Sequence, residues 1–326
     1  MSTRDATSDP TGDLRNGPPL TRAEFDEVYD RLRRWGADGQ EGGAVDQRGA
    51  RAGLGPEQVL AALSVPRTGR TVSLSLPLNR TAGPDNARPA LHHMVDLGDV
   101  EAPEPSAHKD FIGLDYHGKA VSHLDALCHI GYRGELYGGL ASREVFSSLG
   151  STWAAVTTLS GGLVQRGVLL DLPVLQGTDW IEPGTGLLRS DVEDGLARLG
   201  VQLRPGDALL VRTGLVARRA ALGAWDTGAA SAGLHVEAMS LVAEAGVSLL
   251  GGDNDSDVRP SPVEGVHSPI HALALTALGI PLLDNLDLEE LSVACREAGR
   301  YEFLLVVAPL VVPGGTGSPV NPVAIL

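Results

Sequence analysis

His117-Gly-Lys-Ala-Val-Ser-His123-Leu-Asp125-Ala-Leu-Cys-His129 places three of the chain's nine histidines and one aspartate within thirteen residues. His123 and Asp125 are two apart, so on an extended strand both point to one face. His117, six before His123, shares that face if the strand is regular. Imidazole and carboxylate converging on one side is what a divalent transition metal needs. Read without a metal, the same stretch is a polar strand edge whose histidines bond to backbone. Cys128 is five from His123, on the opposite strand face, and is set aside as a ligand. Near Ala126 the strand is expected to give way to a loop or helix.

Outward from this stretch, helical and strand patterns interleave, which favours α/β over segregated classes. Residues 1–19 are polar and rich in Pro, Gly, Asp and Ser, and read as a disordered tail. Residues 20–326 read as one domain. Thr21 caps a helix with Glu24 completing a capping box, and Phe25, Val28, Leu32 and Trp35 recur at helical spacing. Pro56 opens a second helix with Val59, Leu60 and Leu63 on its apolar face. Thr71 to Leu78 alternates like a strand, and Leu91 to Val95 is a further strand bearing His92 and His93. Residues 98–110 read as loop. Buried strands are expected at Gly167–Asp171, Ala208–Thr213, Val247–Leu250 and Phe303–Leu310. Helices are expected from a capping box at Ser190/Glu193 to Gly200, over Val236–Ala245 and over His271–Leu278.

Composition narrows the function classes. With 326 residues, 43% apolar and 21% charged, the chain matches an ordinary globular protein with a sizeable core. No apolar run approaches the roughly 20 residues of a membrane span. The first residues carry no apolar segment of the secretory type, and two cysteines make no disulfide framework, so a cytoplasmic location is expected. The net charge is −15 and the lysines are two, Lys109 and Lys119. A phosphate-binding surface needs clustered Lys and Arg, so nucleic acid is not an expected partner and a small-molecule substrate is. No glycine-rich phosphate loop follows a strand, which removes nicotinamide and ATP.

A ligand set begun in one segment is completed from elsewhere. Pro269-Ile-His271 is followed thirteen residues later by Asp284. A helix starting near His271 and a strand ending near Asp284 return both side chains to one site. The alternatives are a packed helix-start histidine and an ordinary strand-end carboxylate. Asp253, Asp255 and Asp257 alternate in Gly-Gly-Asp-Asn-Asp-Ser-Asp and read as an acidic loop near the site. The glycine and glutamate of an EF-hand are out of register there.

Ser122-His123-Leu-Asp125-Ala-Leu-Cys-His129 resembles the Thr-His-x-Asp-Ala-Pro-x-His motif of the bacterial cyclase family, which includes bacterial kynurenine formamidases and isatin hydrolase. Gly167-Val-Leu-Leu-Asp171, Gly206-Asp-Ala-Leu-Leu-Val-Arg-Thr-Gly214 and Pro269 through Leu286 extend the resemblance from about Trp35 to Leu326. The stretch from Pro313 to Pro322 is similar to a longer subfamily.

The resemblance implies a single α/β domain of swivelling β/β/α type, a barrel-like mixed sheet with surrounding helices. It implies a homodimer or homotetramer with its site near a subunit interface. It also implies hydrolysis of an amide or cyclic amide using zinc or manganese. The expected reaction is hydrolysis of a small amide, cyclic amide or ester by metal-bound water, and the departures from the family's pattern make one ion expected rather than two. By position His123 and Asp125 match metal ligands, His271 a distal ligand and His129 the acid/base. Asp284 stands at the family's distal glutamate, one methylene shorter, and Leu127 replaces the motif's proline. Formamidases carry a ligand histidine four before His123, where this chain has Lys119. An ammonium has no lone pair to donate, and His117 is the candidate in its place. Two alternatives stay open: a metal-poor cyclase or dehydratase of secondary metabolism using His129 and Lys119, and a non-catalytic family member.

Overall fold

The computed structural model describes residues 14, 16–36, 45–98 and 105–326. Of the tail read into residues 1–19, residues 1–13 and 15 lie outside the described residues. The segment 16–19 lies against the body: Asn16 Oδ1 accepts from the Gly186 amide at 3.0 Å, and Pro18 O is 3.1 Å from His235 Nε2.

Nine strands form one curled sheet: β1 (Thr71–Ser73), β2 (His123–Asp125), β3 (Leu163–Asp171), β4 (Ala208–Arg212), β5 (Leu249–Gly252), β6 (Leu282–Asp284), β7 (Glu302–Val307), β8 (Gly317–Pro319) and β9 (Val323–Ile325). Their spatial order is β1-β9-β7-β3-β4-β5-β6-β2-β8. The central run β3-β4-β5-β6 is parallel, and every other pairing is antiparallel. β4 and β5 are buried at every residue, as expected of parallel strands covered on both faces. Residues 317–325 serve both ends of the sheet: β8 pairs with β2, and β9 lies between β1 and β7. The segments after β1 and β6 also meet, through a Ser75–Leu286 bridge and through Leu74, which donates to Pro322 O and accepts from the Asp287 amide, each at 2.9 Å. The mixed, barrel-like sheet with surrounding helices is therefore observed.

Helices cover the sheet: α1 (Arg22–Leu32), α2 (Pro56–Leu63), α3 (Arg189–Arg198), α4 (Leu215–Leu222), α5 (Ala238–Glu244) and α6 (Glu289–Ala298). The Thr21 capping box is present, with the Glu24 amide donating to Thr21 Oγ1 and the Thr21 amide to Glu24. Phe25 of α1 is fully buried and meets Tyr132 edge-on at 5.4 Å. No helix among the described residues is long and apolar enough to cross a membrane.

Four local expectations differ from the structure. α3 begins two residues before the box read at Ser190/Glu193: Asp191 accepts from the Leu188 amide at 2.7 Å, and Glu193 pairs with Arg189 instead. The apolar face of α2 is turned outward, with Leu60 at 66% and Leu63 at 54% exposure, so its spacing did not mark burial within this chain. Residues 109 and 110, read as loop, belong to a strand Lys109–Gly113 that pairs with Leu91–Asp96 as an exposed hairpin. His117 does not lie on β2, which starts only at His123; it sits in a turn.

Asp253, just after β5, ties this strand to the turn after β4. Its Oδ2 accepts from the Gly214 amide at 2.7 Å and from the Leu215 amide at 3.0 Å, and its Oδ1 accepts from the Thr213 hydroxyl at 2.8 Å. Gly214 has φ +81°, and an added Cβ would fall 2.5 Å from Asp179 O, so this turn requires glycine. Replacing Asp253 leaves these donors buried and unsatisfied. Asp253→Ala is therefore expected to lower the unfolding free energy by about 3 kcal/mol, measured by denaturant titration.

Candidate metal centre

β2 and β6 are antiparallel neighbours with His123 opposite Asp284 and Asp125 opposite Leu282. Paired residues share a face, and side chains two apart on a strand share it too. His123, Asp125 and Asp284 thus project together from two adjacent strands. His271 reaches them from a helical segment that begins at Pro269 and widens to π-type turns over Ala272–Leu278. Such wide turns are frequent at functional sites. Two triads of potential ligand atoms result, each within 4.8 Å: His117, His123 and Asp125; and Asp125, His271 and Asp284.

Asp125 is common to both triads and fully buried. Its Oδ1 lies 2.9 Å from His117 Nδ1 and 3.4 Å from His123 Nε2. Its Oδ2 lies 3.6 Å from His271 Nε2 and 3.9 Å from His129 Nε2. Neither Asp125 oxygen has a hydrogen-bond partner of good geometry, and the same holds for His117 Nδ1 and Asp284 Oδ1. The outer nitrogens, in contrast, are held. Val121 O accepts from His123 Nδ1 at 2.9 Å, Thr316 Oγ1 is 2.9 Å from His117 Nε2, and Asp257 Oδ2 accepts from His271 Nδ1 at 2.6 Å. A histidine fixed at one nitrogen presents the other as a lone pair, the usual arrangement behind a metal ligand. Inward lone pairs, unpartnered buried oxygens and outward anchoring fit a divalent cation.

The Cyclase family model matches residues 72–256. The chain belongs to the Cyclase family. A crystal structure of a novel cyclase has 31% sequence identity and a TM-score of 0.79, covering 91% of this chain and 99% of that one. An isatin hydrolase bound to the product analogue thioisatinate shares the fold at 18% identity and TM-score 0.57, covering 84% of this chain and 99% of that one. Isatin hydrolase A from Ralstonia solanacearum does so at 22% identity and TM-score 0.54, covering 81% and 93%. No curated protein matches.

In this Cyclase family chain, charge is concentrated around Asp125. Burial alone would raise its carboxyl, but His123, His129 and His117 outweigh burial and hold it well below the usual carboxylate range. Burial works against protonation of His123 and His271 as well, and again the neighbours win. Asp125 raises His123, while Asp257 and Asp284 raise His271 far above an ordinary histidine. His129 goes the other way: burial, reinforced by its imidazole neighbours and opposed by Asp125, pushes it down to about 4. It stacks on His117 with ring centres 3.8 Å apart. His129 is thus neutral at pH 7 and 22% exposed, able to meet a solvent molecule. Cys128 is buried, which pushes its thiol up to about 11, and it is absent from both triads.

Three residues near the site were not singled out from the sequence in the roles they occupy. Asp257 holds His271, and its Oδ1 also accepts from the Ile270 amide at 2.8 Å. Asp255 pairs with both Lys119 and Arg259, which together overcome burial and bring it down to about 2. Thr316 anchors His117 from across the barrel. The alternating aspartates were visible, but a period of two does not reveal that each side chain takes a different partner. Lys119, at the position where the formamidases carry a histidine, is drawn to Asp255 and away from both triads.

His271, held far above an ordinary histidine, carries a proton at neutral pH, and a metal must displace it. Metal affinity is therefore expected to increase as pH rises from 6 to 8, with proton release on binding. Titration calorimetry in two buffers of different ionisation enthalpy measures the release. Asp257→Asn frees His271 to change tautomer and is expected to weaken metal binding by about 10- to 100-fold.

Proposed function

We propose that this Cyclase family chain is a metal-dependent hydrolase of a small amide, cyclic amide or ester. The observation that carries the reading is Asp125, a fully buried carboxylate with both oxygens unpartnered amid four imidazoles. His117, His123, Asp125, His271 and Asp284 would hold one zinc or manganese ion. Lys119, which gives no ligand where the formamidases have a histidine, supports one ion rather than two.

A divalent ion held there supplies an acidified water, with pKa near about 7, and a polarised carbonyl. The residues of the chain do the rest. His129 is neutral and takes the proton of the attacking water; it then gives it to the leaving nitrogen or oxygen. Its stacking on His117 fixes the plane in which it works. Asp257 keeps His271 in one tautomer, and Val121 O does the same for His123. The metal-poor cyclisation reading needs a free ammonium at Lys119, and that group is engaged by Asp255.

The proposal extends to setting. Exposed apolar side chains on the hairpin, including Leu91, Val95, Phe111 and Ile112, support a homodimer or homotetramer. The two cysteines are buried and unpaired, which suits the reducing cytoplasm.

Metal analysis after purification in zinc- or manganese-supplemented medium is expected to find about one ion per chain, lost in His123→Ala and in Asp125→Ala. His129→Gln is expected to keep the metal while lowering kcat by roughly 10²–10⁴. A wild-type protein that holds no stoichiometric divalent ion after this treatment overturns the reading.

A further inference from the structure

A cleft of about 720 Å³ opens between the segment after β1 and helix α4, within the size range of small-molecule sites. No residue of either triad lines it, but Lys119 and Ala120 do. These two belong to the same turn as His117, so this turn separates the cleft from the metal centre. The floor is apolar, formed by Leu76, Pro77, Leu215, Val216 and Ala220.

The ionisable lining residues are Asp85, Lys119 and Arg219. Lys119 is paired with Asp255, which leaves Arg219 as the cation the cleft presents. Arg219 gives Nε to Asp85. Its two terminal amines have no partner among the described residues, and its side chain is 45% exposed. Asp85 thus orients a guanidinium whose free edge faces outward, the geometry that accepts a carboxylate with two parallel hydrogen bonds. Two further lining groups lack partners: Asp85 Oδ1 and Thr227 Oγ1 are both buried without a hydrogen bond, in residues 8% and 5% exposed. Both atoms lie beneath the cleft surface, so the polar group that the cleft itself presents is the Arg219 guanidinium.

We propose that this cleft receives the non-reacting part of the substrate, and that the substrate carries a carboxylate on an apolar body. The carboxylate lies on the terminal amines of Arg219. The body covers Leu76, Leu215 and Val216. That the bound molecule is a substrate rests on the hydrolase reading; that an anion binds here does not.

The test uses titration calorimetry with benzoate, and with benzamide as its neutral counterpart, on wild type, Arg219→Met and His123→Ala. Benzoate is expected to bind wild type, to bind Arg219→Met about tenfold more weakly or worse, and to bind His123→Ala unchanged. Benzamide is expected to bind wild type about tenfold more weakly than benzoate. Thermal unfolding checks that each variant is folded, and Arg219→Gln replaces Arg219→Met if the latter is not. Benzoate binding that follows His123 rather than Arg219 puts the carboxylate at the metal centre and overturns the assignment. Equal binding of the two probes, or no benzoate binding at millimolar concentration, also overturns it. If wild type holds no metal yet benzoate binding still tracks Arg219, the hydrolase reading fails and the anion site stands.

Discussion

Burying a carboxylate without compensation is among the most costly arrangements a protein can contain. Asp125 is buried completely, and neither of its oxygens takes a hydrogen bond. The surroundings answer this single charge. His123 comes from the same strand, Asp284 from the neighbouring strand, His271 from a widened helix and His117 from a turn. Without a cation, positive charge comes from His271, which Asp257 and Asp284 hold far above an ordinary histidine. With one, the cation supplies it instead. The outward anchors on Val121, Thr316 and Asp257 fix the rings that face this carboxylate.

Much of this was legible before any coordinates. The spacing of His123 and Asp125 placed both on one strand face, because strand periodicity is local and strict. A helix start and a strand end marked His271 and Asp284 as completing residues, and the resemblance to the family gave His271 a ligand's role and Asp284 the place of the distal glutamate. His117 reached the expected place by an unexpected route. The even spacing assumed a continuous strand, whereas a turn brings the ring in, held by Thr316. The apolar face of α2 misled for a related reason: spacing marks one side of a helix but does not say whether that side meets this chain's core. The capping box at Ser190 lost to Asp191, one of several acidic residues crowded at that helix start.

The acidic turn after β5 shows how a short motif divides labour. Asp253 faces the β4 turn, Asp255 faces Lys119 and Arg259, and Asp257 faces His271. One segment thereby links the barrel frame, the only cationic side chain in the turn from His117 to Val121, and a ligand histidine. Lys119, which by sequence stood as an obstacle to a metal site, is neutralised by this turn. Asn285 braces the arrangement from the other side, its Nδ2 donating to Gly118 O at 2.9 Å.

Residues 316–325 couple distant parts of the sheet. β8 supports β2, the strand that bears His123 and Asp125, and Thr316 just before it fixes His117. Six residues after the start of β8 the same segment becomes β9, between β1 and β7. A disturbance of this one short stretch is therefore felt at the ligand-bearing strand and at the opposite side of the sheet together.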